Sequence, residues 1–218
     1  MTGGRHPIRV RVEDDLRRWR LAVFFRLILA IPHLFWLYIW VIVALLVAIV
    51  NWFATLAMGR SPRGLHEFLV RYLRYQTHVW AYFYLAADPY PQFSGKEGTY
   101  PVDLEVDPPE AQRRLVTFFR LVLALPAFAL IYALSSVPAT AAFLGWFVCI
   151  VLGRMPQGLR NFNAYFVRYQ SQVFGYAFLL TSRYPTLDPL QEAQARRLEP
   201  PVTGAQPAAE EPPQGPGP

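Results

Sequence analysis

Leu27 to Met58 reads LILAIPHLFWLYIWVIVALLVAIVNWFATLAM, a run without one charged side chain, held between Arg26 and Arg60. A helix needs only about 20 such residues to cross the hydrocarbon of a bilayer, so the run reads as membrane-embedded. As one straight helix it would extend roughly 48 Å at about 1.5 Å per residue, against roughly 30 Å of hydrocarbon. A single perpendicular span does not use it up. The expectation is therefore a run that turns back on itself.

The run has a twin. A shift of 94 positions turns Phe24-Phe25-Arg26-Leu27 into Phe118-Phe119-Arg120-Leu121, Trp52-Phe53 into Trp146-Phe147, and Gly59-Arg60-Ser61-Pro62 into Gly153-Arg154-Met155-Pro156. Residues 6–91 laid on 100–185 agree at 30 of 86 positions without a gap, too many for chance, so the chain is a tandem duplication. The second copy suggests where the run bends: Leu134-Ser135-Ser136-Val137-Pro138 brings turn formers and a proline to the positions of Trp40 to Ala44.

Basic residues flank both runs, Arg17, Arg18, Arg20 and Arg26 before the first and Arg60 and Arg63 after it, then Arg113, Arg114 and Arg120 before the second and Arg154 and Arg160 after it. By the positive-inside bias all four flanks belong on the cytoplasmic side. That requires an even number of crossings, so each run is expected to form a transmembrane hairpin, with a re-entrant hairpin reaching partway as its competitor. Equal flanks in both copies further predict parallel repeats about an axis along the membrane normal. The localisation that follows is a multi-pass protein of the bacterial cytoplasmic membrane with both termini cytoplasmic.

Outside the runs the patterns change. Ile8-Arg9-Val10-Arg11-Val12 and Val102-Asp103-Leu104-Glu105-Val106 alternate with period two and read as short strands. Pairing them antiparallel with Val10 opposite Leu104 sets Arg9 against Glu105 and Arg11 against Asp103, a ribbon coupling the two units at the membrane surface. Glu13 to Arg26 reads as a helix start, with acids in its first turn. After Gly59-Arg60-Ser61-Pro62, the residues Leu65, Phe68, Leu69, Tyr72, Tyr75, Val79 and Phe83 recur every three or four, with Arg71, Arg74 and His78 on another face. That pattern is an amphipathic helix suited to the membrane interface, repeated through Phe162, Phe166, Tyr169, Val173 and Tyr176. The organisation read from the chain is a first repeat over 1–93, a linker over 94–99, a second repeat over 100–185 and a proline-rich tail over 186–218, with a short helix around Glu192 to Leu198. The tail's composition is that of a disordered cytoplasmic segment. The fold class is an all-α membrane protein of two tandem repeats with a short strand at the start of each.

The combination Arg26, Pro32-His33, Trp52-Phe53, Gly59-Arg60-x-Pro62, Arg74 and Tyr90-Pro91-x-Phe93 resembles a bacterial family of presumed integral membrane proteins, domain of unknown function 4389. The resemblance covers both copies and implies a membrane location, with no activity, substrate or cofactor. The second copy departs from it, with Ala127 in place of His33 and Leu187 in place of Phe93.

The net charge of +6 comes from 20 Arg and one Lys, Lys96, against 15 acids. The arginines cluster at the ends of apolar runs rather than along a solvent-facing stripe, so nucleic acid is not the expected partner. Arginines present in both copies, Arg20 and Arg114, Arg26 and Arg120, Arg60 and Arg154, Arg74 and Arg168, are the candidate ligands for anionic lipid headgroups or phosphate, since a guanidinium fork suits phosphate oxygens. The sharper form is a phosphate pocket at Gly59-Arg60-Ser61-Pro62; plain topological anchoring competes with it. His6, His33, His66 and His78 lack zinc-ligand spacing, no nucleotide or nucleophile motif is present, and Cys149 has no partner for an intrachain bridge. No enzyme activity, cofactor or metal is expected. The function expected is a structural or lipid-interacting membrane component; the alternative is a small transporter or channel subunit built around Asn51, Thr55, Ser135, Ser136 and Thr140.

Overall fold

The computed structural model describes residues 6–187, of which His6–Thr186 form one compact unit. The order is β1 (Ile8–Val12), α1 (Arg20–Phe24), α2 (Arg26–Met58), α3 (Arg63–Phe83), β2 (Val102–Val106), α4 (Arg114–Phe118), α5 (Arg120–Leu134), α6 (Ser136–Leu152) and α7 (Gln157–Ala177). The tail helix expected around residues 192–198 lies outside the described residues.

Neither apolar run folds back on itself. The first is the single helix α2, and the second is interrupted only at Ser135, whose φ of −60° and ψ of −30° remain helical. The expected hairpin fails because the turn formers of the second copy serve the helix instead. Ser135 Oγ donates to the Tyr132 carbonyl and Thr140 Oγ1 to that of Ser136, while Pro138 sits in the first turn of α6, where its missing N–H is not needed. The chain reverses later, at Gly59, a left-handed C-cap with φ 74°, and at Pro62, the N-cap of α3. A hairpin exists, but its limbs are the apolar rod and the amphipathic helix. Arg26 reaches the Tyr82 carbonyl, His33 the Tyr75 hydroxyl and Ser61 the Asn51 amide, so α3 runs antiparallel along α2 for its whole length.

The two amphipathic helices form the centre. Tyr72 packs on Phe178 and Tyr84 on Phe166, and between them Thr77 Oγ1 and Ser171 Oγ, residues at equivalent positions, meet at 2.9 Å. Helices α3 and α7 are therefore antiparallel about a local two-fold axis. The periodic stripe that suits a membrane interface is taken up by α2, α7 and the ribbon, and Tyr72 to Val79 are all buried. Antiparallel α3 and α7 also carry α2 and α5–α6 in opposite directions.

The ribbon forms in the register that its alternation predicts, Val10 opposite Leu104, Arg9 opposite Glu105 and Arg11 opposite Asp103. It lies on the middle of the helix pair, with Ile8 against Gly175 and Arg74 donating to the Leu104 carbonyl. A Cβ on Gly175 would come within 2.1 Å of Ile8 Cδ1, so a larger residue there has to displace the Ile8 side chain.

Segment 13–19 is not helical. The Asp14 and Asp15 side chains accept the amides of Leu16 and Arg17, and the backbone of Leu16 and Arg18 bonds instead to Met155 and Gly153 across the repeat boundary. The exchange is reciprocal, since the Gln112 amide bonds to the Gly59 carbonyl. Likewise Trp146 donates to Val23 and Trp52 to Thr117. The two repeats are thus interlocked at both ends of the molecule.

Candidate arginine sites at the two ends

The eight arginines singled out by the duplication separate by burial. Arg26, Arg74, Arg120 and Arg168 are buried, whereas Arg20, Arg60, Arg114 and Arg154 are exposed. Arg26 lies over the Tyr82 ring at 4.3 Å and donates to the carbonyls of Tyr82 and Ala87 and to the Asp88 carboxylate. Its counterpart Arg120 lies over Tyr176 at 4.1 Å and donates to Gln112. Arg74 holds the Leu104 carbonyl, Glu97 and Asp103, tying the ribbon to α3, and Arg168 lies over Tyr165. These four are committed to the interior.

The exposed four collect at the two ends of the molecule. Arg154 pairs with Arg17 in a backbone bridge, and the Arg20 guanidinium lies beside Gly153, so Arg17, Arg20 and Arg154 share one end. At the other end Arg60 bridges to Ala111, and Arg114 donates to the Ala57 carbonyl at 3.1 Å. Among the described residues none of these five meets a carboxylate within ion-pair distance. Exposed aromatics surround them, Trp19, Phe24 and Phe25 at the first end and Phe53, Phe118 and Phe119 at the second. Free guanidiniums beside aromatic and aliphatic surface match the chemistry of a lipid headgroup above its acyl chains.

The glycine–proline turn contributes less than its sequence suggests. The Ser61 hydroxyl is buried and points inward to Asn51 Oδ1 at 2.6 Å, leaving Arg60 and backbone amides as the outward groups. The transport alternative finds Asn51 donating to the Phe178 carbonyl at 3.1 Å, while Thr140 sits exposed on the other rod.

Several polar residues of consequence carry no sequence signal for the partners they meet in the fold. Arg18 and Asp14 form a buried ion pair, and Arg18 also donates to the Leu85 carbonyl. His33 bonds to the Tyr75 hydroxyl at 2.8 Å and stacks between Tyr90 and Phe93. His78 Nε2 meets Asp103 at 2.9 Å. Burial pushes the Asp103 carboxyl up, but hydrogen bonds from His78 and from the amides of Gly98 and Leu104 outweigh it and hold the group below the usual carboxylate range. An open cleft near the first end is lined by Glu13, Asp14, Asp15 and Asp88, yet Asp14 is taken by Arg18, Asp88 by Arg26 and Glu13 by Arg11. Among the described residues no three His, Cys, Asp or Glu converge as a metal ion requires.

Comparison with known proteins returns one match. No curated protein and no solved structure matches the chain. One family model does, over residues 20–95 and again over 114–187, spans that begin at the paired Arg20 and Arg114 and take in both rods and both amphipathic helices. The chain belongs to the family described as a domain of unknown function, DUF4389, and carries it as two tandem copies.

Proposed function

We propose that this chain is a structural, lipid-interacting component of the bacterial cytoplasmic membrane, without enzymatic activity, and that its exposed arginine clusters bind anionic headgroups. The observation that carries the reading is the exposure of the most apolar segments. Each of the two 33-residue apolar rods buries only 17% of its most apolar stretch inside the protein, while arginines, histidines and amides are buried among the apolar side chains of the interior. The core helix of a water-soluble protein has the opposite distribution. Acyl chains are the solvent that such a surface needs.

The headgroup role falls to Arg17, Arg20, Arg60, Arg114 and Arg154, each contributing on the order of 1 kcal/mol near an anionic leaflet. Two measurements test the reading. Membranes washed with high salt and alkaline carbonate retain the protein, which leaves them only in detergent; recovery in the soluble fraction overturns it. The quadruple variant Arg20→Gln, Arg60→Gln, Arg114→Gln, Arg154→Gln then retains less phosphatidylglycerol on purification than wild type, and equal retention removes the headgroup role.

A further inference from the structure

The local two-fold axis limits how the molecule can sit in a bilayer. It passes between Thr77 and Ser171 and between Val10 and Leu104, and it runs perpendicular to α3, to α7 and to the strands. The rods run alongside α3 and α7, so they too lie across the axis. With the axis in the membrane plane, the rods cross the bilayer in opposite directions and the two arginine clusters face opposite compartments. With the axis along the membrane normal, both rods lie flat and both clusters sit at one depth.

We infer that the rods lie flat within a single leaflet, making the protein a monotopic slab: rods among the acyl chains, α3 and α7 running parallel to the surface, the ribbon in water. This disposition rests on the membrane reading proposed above and takes anionic lipid of one leaflet as its partner. Three observations choose it. The ribbon and the linker carry Arg9, Arg11, Glu105, Asp107, Lys96 and Glu97, and they cover the middle of α3 and α7, where Gly95 touches the Arg71 carbonyl and Tyr75. In a crossing orientation these charges fall at the centre of the bilayer, the depth where ionised groups are most costly. Flat rods place them in water.

The second observation is the charge at the ends. Three exposed arginines, Arg17, Arg20 and Arg154, stand at one end and four, Arg60, Arg63, Arg113 and Arg114, at the other. Rods that crossed would carry a positive cluster on both sides, against the bias that orients membrane proteins. One leaflet of anionic lipid satisfies both clusters at once. The third is length. A 33-residue helix is about 50 Å long and would need a tilt of about 50° to fit about 30 Å of hydrocarbon, outside the usual range of roughly 0–40°. Lying flat, a rod about 10 Å across fits within the roughly 15 Å of one leaflet.

Single cysteines read with a membrane-impermeant maleimide test the inference, and the fully buried native Cys149 makes wild type the blank. The variants are Gln157→Cys at one end, Gly64→Cys at the other and Lys96→Cys in the linker, all at exposed positions. Inside-out membrane vesicles label all three, and intact spheroplasts label none. Labelling of Gln157→Cys and Gly64→Cys from opposite sides overturns the inference, as does protection of Lys96→Cys from both. Protein absent from the washed membrane fraction would instead refute the membrane reading itself.

Discussion

The two repeats share a scaffold and differ in what they bury within it. In both, an arginine caps the start of the rod over a tyrosine, a tryptophan indole donates to a carbonyl of the other repeat, and a hydroxyl stands on the axis. Around that frame both repeats bury polar side chains, but at different positions and with different partners. Arg26 has the Asp88 carboxylate, where Arg120 has Ser182 at the equivalent position. The buried pair Asp14 and Arg18 becomes Pro108 and Gln112; the bonded pair Asn51 and Ser61 becomes Gly145 and Met155; His33 becomes Ala127. The frame shows what the fold requires, since it survives in both copies. The buried polar groups that differ between the copies are additional to it.

The largest test of this contrast is at the paired arginines. Arg26→Leu strands the Asp88 carboxylate and two carbonyls in a buried site and is expected to cost about 3–5 kcal/mol, the usual consequence of breaking a buried ion pair. Arg120→Leu strands the neutral Gln112 side chain and no ion-paired carboxylate, and is expected to cost about 1–3 kcal/mol. Thermal unfolding of the two variants in detergent micelles measures the difference. Equal losses would mean that the stacking on tyrosine, common to both, carries the stability.

The sequence exposed some of this and concealed the rest for identifiable reasons. The ribbon register was legible because strand alternation has period two and the charges on the two strands are complementary, so only one alignment satisfies both. The duplication was legible by counting. The fold-back was misplaced because Ser135, Ser136 and Pro138 are turn formers in water, while inside a long apolar helix the Ser135 and Thr140 hydroxyls find the preceding carbonyls of Tyr132 and Ser136. The antiparallel sense of α3 and α7 was hidden because flanking charge carries no information on how two helices pack against each other. Of the eight candidate arginines, the four at the surface and the four inside carry the same sequence signal. What separates them is the aromatic or carbonyl partner supplied by another element.

The exchange of Asn51 and Ser61 for Gly145 and Met155 makes a smaller test. Asn51→Ala leaves the Phe178 carbonyl and the Ser61 hydroxyl without partners and is expected to cost about 1–3 kcal/mol. The double variant Asn51→Gly, Ser61→Met copies the apolar pair and recovers part of that loss. The reverse change, Gly145→Asn alone, drives a side chain into Met155, which already stands 2.8 Å from where a Cβ would sit, and destabilises. A double-mutant cycle by chemical denaturation checks the coupling. An additive result would show that the two positions are independent and the apparent exchange a coincidence of packing.

The smallest effect separates the two rungs of the ribbon, which look alike in sequence and are used differently. Arg9 bonds to Glu105 at 3.3 Å and to Asp107 at 2.9 Å at a partly exposed site, so a cycle on Arg9 and Glu105 is expected to return about 0.2–1 kcal/mol of coupling. On the other rung Arg11 turns to Glu13, because Asp103 is already engaged by His78 and Arg74. A cycle on Arg11 and Asp103 is expected to show no coupling, whereas one on His78 and Asp103 does. The acid limb of stability discriminates further. With its folded-state pKa held below the ordinary value, Asp103 contributes fully above about pH 4, the unfolded range for aspartate, and its contribution is lost as pH falls through the folded value. Asp103→Asn flattens that part of the pH profile, and Glu105→Gln serves as the matched control on the opposite rung. If Glu105→Gln flattened it equally, the two rungs would be equivalent after all.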